Sequence, residues 1–331
     1  MNNPLYALDH IRLEFSNEDL LILNLALAFI MFGVALEIKL DHFKKLFNNP
    51  KAAIIGIISQ FVLLPAATFL LTIIFHRFLT PTMALGMILV AACPGGNISN
   101  FITSLSKGNV ALSVSLTAIT TLGAVFITPL NFELWGTWAV KYYSHVDSAA
   151  LVKPLEIDGF QMFQTVFLIL GIPLITGIFF NTRFAAIAQK ITLPIKRISI
   201  LIFAVIVLMA LIKNFNHFVR AIEFIFLIVL VHNAVALAIG YYFAKLNKLS
   251  QYDRKTISIE TGIQNSGLGL VLIFNPKIFP PELELGGMAI IAAWWGIWHI
   301  FSGLAMAGIW TKFDFGLKKA KPNEGEINLE N

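Results

Sequence analysis

The chain has 331 residues, 57% of them hydrophobic and 13% charged, with a formal net charge of +5. Soluble domains carry about a quarter charged residues, so there is too little charge here to clothe a water-facing surface, and a soluble globular protein is excluded. Nor is the positive charge a nucleic-acid footprint, which requires a basic face on a folded soluble domain.

A helix that crosses a bilayer needs about 20 mostly apolar residues. Nine stretches satisfy this, running approximately over 20–40, 50–75, 81–106, 109–130, 160–180, 194–212, 219–246, 256–279 and 284–310. Continuous apolar runs such as Phe224 to Val231 do not alternate as barrel strands do. The expected fold class is an all-α polytopic membrane protein with nine transmembrane helices. Residues 1–19 are read as an extracytoplasmic N-terminus, 20–310 as the membrane domain, 131–159 as an extracytoplasmic connector and 311–331 as a cytoplasmic tail. The domain falls into halves of about 20–130 and 160–310. The first 16 residues lack a signal peptide's basic n-region and short apolar region, so the first span is expected to insert itself into the cell (inner) membrane.

Orientation follows from the 24 Lys and Arg residues, because cytoplasmic loops are enriched in them. One set of connections holds most of them, including Lys44, Lys45, Lys107, Arg183, Lys190, Lys245, Lys248, Arg254, Lys255 and the tail lysines, while the opposite set holds only Arg12, Arg77, Lys141, Lys153, Lys213, Arg220 and Lys277. The N-terminus is therefore predicted outside and the C-terminus inside. In the connector, Trp135, Trp138, Tyr142 and Tyr143 suggest a helix lying in the membrane interface. Cys93 is the only cysteine, which excludes an intrachain disulfide, and no Cys/His cluster has metal-ligand spacing.

Two spans are wrong for simple lipid-facing helices. The third contains Cys93-Pro94-Gly95-Gly96-Asn97-Ile98-Ser99-Asn100, and the eighth contains Glu260-Thr261-Gly262-Ile263-Gln264-Asn265-Ser266-Gly267. Unpaired backbone at membrane depth costs several kcal/mol unless it faces protein or water. Two interrupted polar segments in corresponding positions of two halves point to a transporter site built from broken helices. Glu260 is an acid inside a span and requires a partner. No Lys or Arg sits deep in any predicted helix, so the carboxylate either snorkels towards Arg254 and Lys255, is protonated, or holds a cation through oxygen ligands. Sodium suits the hydroxyls, amides and carbonyls available. Ser113 and Thr117, four apart on one helix face, and Gln60 in the second span are further polar candidates, each of which could instead serve helix packing.

These residues resemble the bile acid:sodium symporter family, whose marks are a C-P-G-G-x-x-S-N stretch, a G-N-V-A-L-S-V-x-x-T helix and an E-x-G-x-Q-N-S-G stretch. They match Cys93 to Asn100, Gly108 to Thr117 and Glu260 to Gly267, with lesser matches at Gln60-Phe61, His232-Asn233 and Trp298-His299. The resemblance implies an inverted-repeat transporter with panel and core domains and two broken helices crossing in the core. It implies two co-transported sodium ions. The first would take Ser99, Asn100, Ser113, Thr117 and Glu260; the second would take Gln60, Glu260, Gln264 and the backbone carbonyls of Thr261 and Ile263. An organic anion would lie against Asn97 and Asn265, with His299 a further substrate-side candidate or else a packed histidine.

The sequence departs from relatives at Asn97, where Thr occurs, and at Ile300, where Asn occurs. The function expected is sodium-coupled symport of an organic anion by alternating access, without enzymatic chemistry, nucleic acid or an obligate protein partner. The rivals are an arsenite-permease-like exporter working through Cys93 and a membrane receptor without turnover.

Overall fold

The computed structural model describes residues 17–38, 50–96, 98–146, 157–213, 215–279 and 283–312. Asn97, residues 1–16 of the expected N-terminal segment, 147–156 of the connector and 313–331 of the tail lie outside these ranges. The described residues are helical, joined by turns and one isolated backbone bridge. In chain order the helices are α1 (Asn17–Glu37), α2 (Pro50–Ile58) and α3 (Leu64–Ile74) joined through a π-turn (Ser59–Leu63), α4 (Pro81–Ala92), α5 (Ile98–Leu105) and α6 (Val110–Val146). Then come α7 (Gly159–Val166) and α8 (Ile172–Arg183), joined through a second π-turn (Phe167–Gly171), followed by α9 (Ala185–Lys213), α10 (Phe215–Leu246), α11 (Gln251–Gly262), α12 (Ser266–Ile273) and α13 (Gly286–Lys312).

Among the described residues, five helices are long and apolar enough to cross a membrane: Pro50–Ile74, Val110–Val146, Gly159–Arg183, Ile225–Leu246 and Gly286–Thr311. Leu25, Leu70, Phe126 and Phe179 are exposed on the outside, while Gln60, Thr68, Ser99, Thr103 and Glu260 are buried. That distribution inverts the soluble arrangement and makes lipid the solvent. The protein is a multi-pass membrane protein.

Hydrogen bonds sort the connections into two sides. Asn181 Nδ2 donates to Ile38 O (3.0 Å), joining the ends of α1 and α8. Lys255 Nζ donates to Ser106 O (3.2 Å) and Asn109 Nδ2 to Asp253 Oδ1 (2.8 Å), joining the α5–α6 turn to the start of α11. At the far end of α3, Tyr143 OH donates to Thr72 O (2.9 Å). The basic connections carrying Lys107 and Lys255 therefore share one side of the bundle.

Each broken pair has the same dimensions, a 12-residue helix followed by an 8-residue one. Local chemistry sets their starts: Thr80 Oγ1 accepts from Met83 N ahead of α4, Ser250 caps α11, and Asn265 Oδ1 accepts from Leu268 N at α12. Every residue of α4 is buried, as the innermost helix of a bundle must be.

One segment differs from its sequence reading. The aromatics after Leu130 do not form a separate helix; α6 continues through Pro129 to Val146. Its outer half stands against α3, with the Trp135 and Trp138 rings 5.4 and 5.9 Å from the ring of Phe69. Part of the aromatic face thus packs on a neighbouring helix.

Helices approach most closely at glycine. A Cβ placed on Gly240 of α10 would lie 2.5 Å from Ile257 O and 2.7 Å from Ser258 Cα of α11, both backbone atoms that cannot step aside. Gly240→Val is expected to destabilise the fold by about 1–3 kcal/mol, read as a lower unfolding temperature in detergent. An unchanged midpoint would mean that α10 and α11 separate without cost.

Candidate functional site

The two breaks meet. Gly95 and Gln264 form an antiparallel bridge, with Gly96 N donating to Ile263 O (2.8 Å) and Asn265 N to Pro94 O (2.7 Å). The backbone groups that each helix loses at its break are thus satisfied by the other break, which answers the cost of irregular backbone at this depth. Side chains close the remaining ends: Thr128 Oγ1 of α6 donates to Ala92 O (2.8 Å), and Asn233 Nδ2 of α10 donates to Gly262 O (2.7 Å).

Glu260 lies in the last turn of α11, 1% exposed. Three hydroxyls converge on its carboxylate: Ser99 Oγ at 2.6 Å, Thr117 Oγ1 at 3.0 Å and Ser113 Oγ. Among the described residues no cationic side chain pairs with it. Asn100 Oδ1 lies 2.9 Å from Ser113 Oγ and 3.3 Å from Thr117 Oγ1, and Thr103 Oγ1 lies 3.3 Å from Ser113 Oγ. A hydroxyl has one proton and two lone pairs, so Ser113 and Thr117 cannot satisfy both Glu260 and Asn100. The site is rich in oxygen lone pairs, short of protons and carries a negative charge when Glu260 is ionised. Such a set has the oxygen donors that suit a small hard cation.

The four neutral side chains expected to share the first sodium with Glu260 are therefore brought together around it. The second set is arranged differently. Gln60 Nε2 donates to Gln264 Oε1 (3.4 Å), and Gln60 Oε1 is buried without a hydrogen-bond partner in the protein. Thr261 O accepts from Gln264 Nε2 (2.8 Å) and Ile263 O from Gly96 N (2.8 Å), so each carbonyl keeps one lone pair. Gly95 is where the two sets adjoin: a Cβ there would be 3.2 Å from both Gln60 Nε2 and Glu260 Oε2.

Of the substrate-side candidates, Asn265 is partly buried at the crossing, its oxygen used to cap α12. His299 is buried on α13 with Nδ1 unpartnered, and no hydrogen bond joins it to the crossing among the described residues. Asn97 lies outside them. Cys93, on which a thiolate-based exporter would depend, is fully buried at the end of α4. Sequence reasoning missed Ser59, whose hydroxyl bonds Thr261 Oγ1 (2.9 Å), and Thr103; a lone Ser or Thr in a membrane helix gives no signal that separates it from helix packing.

A family model described as the Sodium Bile acid symporter family matches residues 24–221. The chain is 32% identical over 311 residues to an uncharacterized sodium-dependent transporter, YocS, of Bacillus subtilis (strain 168), covering 93% of this chain and 87% of that protein. It is 28% identical over 310 residues to the ileal sodium/bile acid cotransporter of Homo sapiens, covering 92% and 82% respectively. To the probable sodium/metabolite cotransporter BASS2, chloroplastic, of Oryza sativa subsp. japonica it is 31% identical over 283 residues, covering 82% of this chain and 63% of that protein.

Proposed function

From the chain's membership of the sodium bile acid symporter family, and hence its standing as a sodium-coupled membrane transporter, we propose that it carries an organic anion together with two sodium ions by alternating access. The carrying observation is the buried Glu260 carboxylate, held by three hydroxyls beside an amide oxygen. The anion is of the bile-acid or small-carboxylate class; the name of the human relative gives a bile acid as its cargo, and that of the rice relative a metabolite.

In this reading the first sodium is bound by Ser99, Asn100, Ser113, Thr117 and Glu260, and the second by Gln60, Glu260, Gln264 and the carbonyls of Thr261 and Ile263. Glu260 is shared, so two cations meet one carboxylate, and the substrate anion supplies further negative charge near Asn97 and Asn265. The chain crosses the cell membrane nine times with the N-terminus outside and the basic connections in the cytoplasm. Its halves, about 20–130 and 160–310, form unequal inverted repeats, a relation supported by the equal lengths of the broken pairs and their reciprocal bonds. A core built on the crossing moves against a panel containing α1, α8 and α9, which pack on one another.

The energetics suffice for accumulation. Two sodium ions with a monovalent anion move one net positive charge, worth about 2.3 kcal/mol at 100 mV. Two sodium ions each falling down a tenfold gradient add about 2.8 kcal/mol. Together these support a concentration ratio of roughly several thousand. In proteoliposomes tested with a conjugated bile acid and with a short 2-keto acid, at least one is expected to enter in a sodium-dependent manner, faster under an inside-negative potential. Uptake indifferent to voltage would overturn the two-to-one stoichiometry, and ligand binding without sodium-driven uptake would favour the receptor reading.

A further inference from the structure

The π-turn that carries Gln60 has a cause in the sequence. In a regular α-helix the carbonyl of Phe61 would accept from the backbone N–H four residues on, but that residue is Pro65, which has none and whose ring clashes with that carbonyl. The helix widens to avoid the clash, and Leu64 N bonds Ser59 O five residues back. The same device recurs in the fifth apolar stretch, where Ile172 N bonds Phe167 O immediately ahead of Pro173. Widened turns of this kind often coincide with functional positions. Here the turn presents two consecutive side chains to the crossing, Ser59 to Thr261 and Gln60 to Gln264.

The carbonyl that Pro65 deprives is not left bare. Asn131 Nδ2 of α6 donates to Phe61 O at 2.9 Å, from a position 9% exposed. Asn131 stands about five turns beyond Ser113 on α6, at nearly the same angular position on the helix. The helix that supplies Ser113 and Thr117 to the carboxylate pocket thus also holds the backbone turn from which Gln60 projects. We propose that Asn131 is a positioning residue for the second sodium ion: by fixing the Phe61 carbonyl it fixes the π-turn and with it Gln60, and it ties the geometry of the second set to the helix that builds the first. This rests on the assignment of Gln60 to a sodium ligand set.

The test uses sodium alone, titrated against choline on the purified full chain in detergent, with the unfolding temperature as the signal. Its half-saturation concentration and Hill slope report on the ion sites, whereas a merely structural loss would lower the sodium-free midpoint and leave both unchanged. Asn131→Leu keeps the branched shape and removes the donor. It is expected to raise the half-saturation concentration roughly 3- to 10-fold, the worth of one hydrogen bond, and to lower the Hill slope. Pro65→Ala restores a backbone N–H four residues after Phe61, so on that background Asn131→Leu should shift the titration less. If Asn131→Leu does not fold, Asn131→Ala removes the donor and takes its place. A shift in Gln60→Ala with none in the Asn131 variant would overturn the positioning role while leaving the ligand assignment standing. No shift in either would overturn the assignment itself. An equal shift with and without Pro65→Ala would mean that Asn131 acts by a route other than the Phe61 carbonyl, and would also overturn the proposal.

Discussion

Glu260→Gln is expected to abolish sodium-driven uptake and to weaken sodium binding roughly 100- to 4,000-fold. The substitution keeps the shape of the side chain and an oxygen that can still accept from Ser99 and Ser113, while the oxygen that accepts from Thr117 becomes an amide nitrogen, and it removes the one carboxylate among the described residues at the crossing. Breaking a buried charge pair by neutralising one member costs about 3–5 kcal/mol, and each 1.4 kcal/mol is tenfold in affinity. Without sodium the neutral variant should fold at least as well as the parent, since no charge then needs burial. The result is read from two measurements on one preparation, the sodium-induced rise in unfolding temperature and sodium-gradient uptake in proteoliposomes. A variant that still accumulates anion under a sodium gradient would remove Glu260 from the coupling.

The second large effect is expected at Gly95. A Cβ placed on Gly95 would sit 3.2 Å from both Gln60 Nε2 and Glu260 Oε2. Gly95→Val puts branched methyl groups between an amide and a carboxylate, moving both ligands and stripping them of polar company. Overpacking of this kind costs about 1–3 kcal/mol, and here it falls on both ion sets, so sodium affinity should drop about 10- to 100-fold. Gly269→Ala is the matched control, because a Cβ there meets only Cys93 Sγ at 3.7 Å and Val90 at 4.0 Å. If both variants behaved like the parent, the closeness of Gly95 to the two ligands would have no functional weight.

The sequence was most legible where it broke its own pattern. Pro94, Gly95 and Gly96 inside one apolar run, and Glu260 to Gly267 inside another, located both breaks, and the crossing is formed by those residues. Hydrophobic length located the helices, because lipid demands it of every span. What escaped was whatever depended on a neighbour. Pro129 and the aromatics after it read as the end of a span, yet α6 runs on because the π-turn and α3 receive its outer face through Phe61, Phe69 and Thr72. The π-turn at Gln60 left no mark on the hydrophobic pattern, since one extra residue in a buried turn changes no composition; only Pro65, four residues after Phe61, hinted at it. The roles of Asn131 and Asn233 were hidden because each serves a carbonyl on another helix.

The bridge between the breaks also bears on how the chain is made. Ser99 and Glu260 are separated by 161 residues, and ribosomes add about 5–20 residues per second. Roughly 10 to 30 seconds therefore pass between synthesis of the first break and arrival of the groups that complete it. During that interval Cys93 to Asn100 must reside in or near the membrane without their final partners. Their early support comes from α6, the next helix to emerge: Ser113 reaches Asn100 across 13 residues and Thr128 reaches Ala92 across 36. The polar face of α6 thus supplies the first of this half-site's partners to be synthesised, long before those from the second half of the protein.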